Sequence, residues 1–328
     1  MPPALTVIPA AHPLEVWHAV VLGLVEGITE YLPISSTGHL IIANALMGLD
    51  TPDRKSAVDA FVIVIQGGAI LAVLSLYWPH VLRMLKGFLG KDAQGLRLAL
   101  NLIIAFIPAA IFGKLLDDWI ESKLFSAGPV LLALALGGIY MMVVDQWQAG
   151  KVAFLPKHSA NTETVYDLSW KQSLFVGCMQ CIAMWPGTSR SMMTITGGVL
   201  AGMKPRQAAE FSFLLGLPTL GAATLYKAYK NVSHAHATNT PNMFEQLGWT
   251  PVIVGTLVAA VSAFFAVKWL VGFLNKHGLT PFGWYRLALC AVLLVLAWRG
   301  IVTIGPPMPG AQGTQPATSA LPAQPPAP

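Results

Sequence analysis

Six uncharged apolar stretches, at residues 60–78, 98–113, 124–144, 211–226, 247–267 and 287–298, leave this chain little choice of solvent. A helix needs about 20 apolar residues to cross a bilayer. The shorter stretches reach that length only by running past flanking charges that snorkel outward. Only 11% of the residues are charged and 55% are hydrophobic, whereas soluble domains carry about 25% charged residues. The expectation is an all-α polytopic membrane protein with six transmembrane helices.

Two further apolar regions, 16–47 and 170–202, are each broken by a polar run and a proline. The first run is Glu26-Gly-Ile-Thr-Glu30-Tyr-Leu-Pro33-Ile-Ser35-Ser36-Thr37-Gly38-His39. The second is Trp185-Pro186-Gly187-Thr188-Ser189-Arg190-Ser191. Proline, glycine and polar groups at membrane depth point to discontinuous helices around a protein-enclosed cavity. The halves on either side of each break are too short to span. Both regions therefore read as re-entrant helix–loop–helix hairpins. Pro33 and Pro186, 153 residues apart, head a shared Pro-x-hydroxyl-Ser frame. Three spanning helices lie between the hairpins, and an odd number turns the second copy upside down, giving an inverted repeat. The expected organisation is an N-terminal segment 1–15 and a membrane domain 16–304. Within that domain, repeat one covers about 16–116 and repeat two about 170–274. A Pro-rich tail, 305–328, cannot form a core and should be disordered.

Lysine and arginine placement gives an orientation. Loops 79–97, 145–171, 203–207 and 268–286 hold twelve basic residues, and the opposite segments hold seven. The basic side should be cytoplasmic, with both termini outside. No basic n-region precedes a cleavage site, so no removable signal peptide is expected. Cys178, Cys181 and Cys290 all lie in apolar segments and read as buried packing thiols, not a disulfide framework. Nothing points to nucleic acid. A homodimer is allowed and not required.

Ionisable groups inside a membrane mark substrate or ion sites. Glu26 and Glu30 are four apart and share a helix face, so they could hold a divalent cation, or one could serve as a base. Ser35, Ser36 and Thr37 stand at the start of the first hairpin's second helix, where unpaired N–H groups suit phosphate oxygens. One of these hydroxyls could attack phosphorus, while capping accounts for at least one of the three. His39 could shuttle a proton or carry a phosphoryl group. Arg190, after Thr188 and Ser189 and before Ser191, reads as the only basic residue deep in an apolar region. Its planar fork matches phosphate, with a buried ion pair to Glu26 or Glu30 as the plainer use. Gln66 and Gln180 divide between interhelical hydrogen bonding and substrate contact. His234 and His236 lack a third ligand. Gly198 and Gly202 read as close helix packing, and Asp117 and Asp118 as solvated.

The two runs resemble the signatures of the undecaprenyl-diphosphate phosphatase family, the bacitracin-resistance membrane proteins of bacteria. The first is present in full at 26–39 and the second at 186–191. The similarity extends over about 16–300, including Glu210-Phe-Ser-Phe-Leu-Leu and Pro281-Phe-Gly-Trp-Tyr-Arg286. The resemblance implies six spanning helices, two re-entrant hairpins and a cavity open to the outer face. It also implies removal of the terminal phosphate from a C55 polyprenyl diphosphate, dependence on a divalent cation (Mg or Ca), and roles for Glu26, Glu30, Ser36, His39 and Arg190. One departure stands out. Met192 follows Ser191 where the family usually has glycine, and methionine cannot copy glycine's close backbone approach.

The expected mechanism places the diphosphate on Arg190 and the N–H groups of Ser35–Thr37, with substrate contacts from Thr188, Ser189 and Ser191. A cation sits near Glu26 and Glu30. Ser36 attacks phosphorus while Glu30 or His39 takes its proton, with direct attack by water as the alternative. Two other classes compete with this reading. Acid-phosphatase-like lipid phosphatases need an Arg-Pro dipeptide, which this chain lacks. A transporter or flippase of an anionic headgroup shares the architecture, but has no evident use for Ser36 and His39 together.

Overall fold

The computed structural model describes residues 14–152, 162–238 and 242–302. The Pro-rich tail and most of the N-terminal segment lie outside them. Twelve helices and no strand occur among the described residues. In chain order they are α1 (Val16–Thr29), α2 (Ser36–Leu46), α3 (Pro52–Leu76), α4 (Trp78–Phe88), α5 (Ala93–Leu124), α6 (Ala127–Gln148), α7 (Trp170–Ile182), α8 (Arg190–Leu200), α9 (Pro205–Thr238), α10 (Met243–Leu247), α11 (Trp249–His277) and α12 (Thr280–Trp298). Six of them, α3, α5, α6, α9, α11 and α12, are long and apolar enough to cross a membrane.

The four helices of the broken regions are short: α1 and α2 have 14 and 11 residues, α7 and α8 have 13 and 11. At 1.5 Å per residue none exceeds about 21 Å, against a hydrocarbon core of about 30 Å. These half-length pairs are compatible with re-entrant hairpins.

The chain repeats itself element by element, α1–α6 against α7–α12. Packing repeats too: α1 lies on α11 as α7 lies on α5, α6 touches α8 as α12 touches α2, and α3·α9 and α6·α12 are self-paired. The hairpin register corrects the proline-based alignment. Ser35 and Ser189 are the only non-glycine residues with positive φ among those described, at 72° and 75°, and each precedes the second half-helix of its hairpin. They are 154 apart, not 153. Gly48 and Gly202, which end α2 and α8 at positive φ, keep the same spacing. A shared kink, not a shared proline, therefore sets the correspondence, and Pro33 falls opposite Gly187.

Small residues let the half-helices sink against their long partners. A side chain on Gly23 would meet the Gly255 carbonyl of α11, and one on Gly177 the Ala105 carbonyl of α5. Gly198 likewise packs α8 on Ala208 of α9, whereas Gly202 serves the turn.

Two helices, α4 and the short α10, have no counterpart among the expected elements. In α4, Trp78, Leu82, Leu85 and Phe88 are exposed along one face, the pattern of a helix lying in the membrane interface. Arg83 from α4 reaches the Asp92 carboxylate, Nε to Oδ2 2.7 Å. Asp92 in turn caps α5 by accepting from Gly95 N–H at 2.8 Å. Arg83 first, and the cap second, hold the Asp92 carboxyl down at about 2.

Several expectations are corrected. Arg286, counted among twelve basic residues of one side, is fully buried, so that side holds eleven and Arg190 is not alone in the interior. Its charge did not snorkel because carbonyls enclose it. Cys178 is exposed, not buried, although all three cysteines are free. Asp117 is part-exposed, as expected of a solvated group, and is also paired with Lys227 at 3.6 Å. The side chains of Asp118 and His234 lie outside the described residues. Met192 occupies the first turn of α8 with its N–H on Ser189 Oγ at 3.3 Å, so the position needs no glycine. Its methyl end packs where Gly137 of α6 leaves room.

Candidate active site

The two breaks meet in the interior. Ser191 at the start of α8 donates its hydroxyl to the Leu32 carbonyl in the first break, at 2.8 Å, so the second hairpin holds the first. Across this join, Ser36 Oγ donates to Glu30 Oε2 at 2.9 Å, and Arg190 Nη2 stands 3.5 Å from Glu30 Oε1. Glu30 is the C-cap of α1 and Ser36 the first residue of α2. The kink at Ser35 turns the chain back and lets residues six apart touch.

Arg190 is fixed from three sides. Nη1 donates to the Ser212 carbonyl of α9 at 3.1 Å, Cζ lies 5.3 Å from the Tyr31 ring centroid, and Glu30 supplies the counter-charge. Nε and Nη2 make no hydrogen bond among the described residues. Tyr31 is itself braced edge-on by Phe213. Glu26 is 1% exposed, and neither of its oxygens has a hydrogen-bond partner among the described residues. A buried carboxylate in that state awaits a proton or a cation.

His39 is engaged elsewhere. Nδ1 donates to the Ser35 carbonyl at 2.8 Å, which leaves Nε2 to accept from the Tyr285 hydroxyl of α12 at 2.7 Å. The two rings are parallel within 6°. Of the expected substrate contacts, Ser35 and Thr188 are buried, with the Ser35 hydroxyl unpartnered. Ser189 Oγ caps α8 and lies 3.0 Å from Ser191 Oγ, and Thr37 is half-buried in the first turn of α2. Ser189 and Ser191 are thus occupied in holding the break.

Arg286 was not singled out from the sequence. Nη2 donates to the carbonyls of Gly187 (2.7 Å) and Ala133 (3.1 Å), tying the second break to α6. Tyr285 and Arg286 are adjacent in the sequence, but nothing along the chain says that α12 faces α2 and α6.

Two concavities flank the centre. A groove of 740 Å³, apolar apart from Ser262, follows α1 and α11 past Leu24, Ile28 and Leu32. Leu24 and Ile28 lie two residues from Glu26 and Glu30, hence about 200° around the helix, so this groove faces away from the carboxylates. A cavity of 460 Å³ between α5, α7 and α9 reaches Arg190.

A polytopic helical membrane protein with a buried serine–glutamate–arginine cluster at the junction of two broken helix pairs is the class defined by this fold and site. The chain matches the model of the family described as bacitracin resistance protein BacA over residues 19–292, and it belongs to that family. Among its relatives is an undecaprenyl-diphosphatase of Polaromonas sp., 40% identical over 88% of this chain and 97% of the relative. An undecaprenyl-diphosphatase of Clostridium tetani is 38% identical over 89% and 100%. An undecaprenyl-diphosphatase 2 of Rhodospirillum rubrum is 42% identical over 87% and 96%.

Proposed function

We propose that this protein hydrolyses the terminal phosphate of undecaprenyl diphosphate, regenerating the lipid monophosphate carrier used in cell-wall synthesis. The observation that carries the reading is the linked trio Ser36–Glu30–Arg190, a hydroxyl already hydrogen-bonded to a carboxylate beside a buried guanidinium whose Nε and Nη2 make no hydrogen bond among the described residues. A translocating protein has no need of the first of those contacts.

Arg190 Nε and Nη2 receive oxygens of the terminal phosphate. Ser36 Oγ attacks that phosphorus as Glu30 Oε2 takes its proton. The new Oγ–P bond replaces the bond from phosphorus to the bridging oxygen, and the lipid monophosphate departs with the proton that Glu30 took. Water later attacks the phosphoserine as Glu30 takes its proton; the Oγ–P bond breaks, orthophosphate leaves, and Glu30 returns the proton to Ser36 Oγ. Glu30 suits the base role better than His39, whose two ring nitrogens are committed to Ser35 and Tyr285. Most of the acceleration comes from neutralising the transferring phosphoryl group.

A divalent cation, Mg or Ca, fits at Glu26, whose two oxygens lack partners, with Glu30 alongside. No group of three potential ligands occurs among the described residues. A site completed by water and substrate phosphate is the habit of Mg²⁺, and such an ion would supply charge neutralisation. The membrane is the bacterial cytoplasmic membrane, with the site open to its outer face. The uneven lysine and arginine count supports that orientation.

Purified protein should release phosphate from long- and short-chain polyprenyl diphosphates, and a chelator should remove most of that activity. Ser36→Ala should lower kcat by about 10³-fold or more. A fully active Ser36→Ala variant would remove the serine from the reaction, and absence of release with intact lipid binding would favour transport. Tyr285 acts through His39 as a positioning residue. Tyr285→Phe keeps the ring stack but strips Nε2 of its donor, so kcat should fall about tenfold (about 1.4 kcal/mol, one hydrogen bond) with KM little changed. An unaltered kcat and pH–rate profile would show that the contact is idle.

A further inference from the structure

The 154-residue correspondence pairs the reacting half of the site with a second set of residues that no step above uses, apart from the arginine. Adding 154 to Glu26, Glu30 and Ser36 gives Gln180, Met184 and Arg190, and all three line the 460 Å³ cavity between α5, α7 and α9. The first hairpin carries two acids and a hydroxyl at these stations. The second carries an amide, a thioether and a guanidinium.

Gln180 is 3% exposed. Its Oε1 lies 3.4 Å from the Thr219 hydroxyl of α9, a long contact because that hydroxyl gives its proton to the Leu215 carbonyl at 2.8 Å, and Nε2 is the other end of the amide. That Nε2 has no hydrogen-bond partner among the described residues, and neither have Nε and Nη2 of Arg190, whose side chain is nine-tenths buried. Gln180 Nε2 and Arg190 Nε are unpartnered N–H donors on two cavity-lining residues, and Arg190 Nη2 has only its long 3.5 Å ion pair to Glu30. Buried donors without acceptors are unfavourable, and the ligand that relieves them is an anion. The cavity then runs outward along α5. From Phe106 to Lys114 is eight residues, about 12 Å, and at that end Lys114, Lys227 and Asp117 stand at its wall. The walls between are small, Ala109, Ala110, Gly113, Ala222 and Ala223. The positive-inside count places that end on the outer side.

We propose that this cavity seats a phosphate group on Gln180 and Arg190, and that phosphate freed by the reaction leaves past Lys114 and Lys227. The proposal rests on the phosphatase reading. The phosphate group has two sources, the terminal phosphate of the lipid and free orthophosphate, and the seat takes both in turn.

The test uses full-length protein in detergent with inorganic phosphate as the probe. Binding is read by calorimetry, and inhibition in an assay on a short-chain polyprenyl diphosphate. Wild type should bind phosphate and be inhibited by it. Gln180→Glu keeps the size of the side chain but places a carboxylate where the donor stood, so it should raise both the phosphate dissociation constant and KM at least tenfold. Ala222→Phe, which fills the outward passage without touching Gln180 or Arg190, should lower kcat several-fold and give slow phosphate release after a burst. It also serves if Gln180→Glu does not fold. Phosphate binding unchanged in Gln180→Glu would overturn the seat. A rise in KM alone would overturn it for free phosphate, and unaltered kcat in Ala222→Phe would overturn the exit. If wild type bound phosphate tightly and turned over no polyprenyl diphosphate, the phosphatase reading would fall while the seat remained.

Discussion

Arg190→Ala should abolish turnover, lowering kcat/KM by about 10³-fold or more, the range found when an arginine that neutralises a transferring phosphoryl group is lost. The expectation is this large because nothing nearby can stand in. Arg286, the other interior cation, spends its Nη2 on the Gly187 and Ala133 carbonyls. Arg190→Lys should recover little, since an ammonium is a point charge and cannot keep Ser212 while offering a fork to phosphate. Loss of the arginine also strands Glu30, which is 7% exposed. Removing one partner of a buried pair is destabilising by about 3–5 kcal/mol, so a dead variant could simply be an unfolded one. Thermal unfolding of Arg190→Ala in detergent separates the two effects. The variant should unfold at a lower temperature than wild type yet be inactive well below that temperature, where it is still folded. An Arg190→Ala variant that was folded and active would take Arg190 out of the chemistry.

How the site could be foreseen depends on the range of each contact. Glu26, Glu30, Ser36 and Arg190 were legible because ionisable and hydroxyl groups stand out in an apolar chain, and Glu30 to Ser36 is a local contact across one kink. The six long helices followed from apolar length alone. The Pro33–Pro186 alignment was off by one because a proline restricts the residue before it but does not say where the chain turns. The turns are at Ser35 and Ser189, and positive φ at serine has no one-residue signature. Arg286 was misplaced because an arginine at the edge of an apolar stretch normally snorkels, and only the fold shows the three backbone carbonyls, of Ala133, Leu134 and Gly187, that receive it. Tyr285 meets His39 across 246 positions, a pairing that no periodicity in a single chain encodes. Gln180 stayed ambiguous until the repeat register set it opposite Glu26.

The repeat also divides labour by sign. Equivalent stations carry Glu26, Glu30 and Ser36 in one half and Gln180, Met184 and Arg190 in the other, so one backbone device, a kink feeding a short helix, presents negative groups on one side of the join and positive ones on the other. A phosphate ester needs both, a base for the nucleophile and donors for the phosphoryl oxygens. Neither hairpin alone could supply them.

Arg286 holds that join together, and its replacement should have the largest effect on stability. The side chain is fully buried, with no carboxylate within ion-pair distance among the described residues. It is compensated by donating to the Leu134, Ala133 and Gly187 carbonyls. The α6 carbonyls keep their helical partners when the guanidinium goes, but Gly187 lies in the break and keeps none. Arg286→Met fills most of the volume and leaves one buried carbonyl unsatisfied, a loss of about 1–3 kcal/mol. Arg286→Ala adds a cavity beside Gly137 and Met192, for a total of about 3–5 kcal/mol. Thermal unfolding in detergent should therefore rank wild type above Arg286→Met above Arg286→Ala. Activity should follow a different order. Gly187 is three residues before Arg190, so both variants free the second break and should lower kcat at least tenfold, Arg286→Met included despite its milder unfolding. A stable Arg286→Met with unimpaired kcat would mean that the second break keeps its shape unaided, and that Ser191 on the Leu32 carbonyl is tie enough.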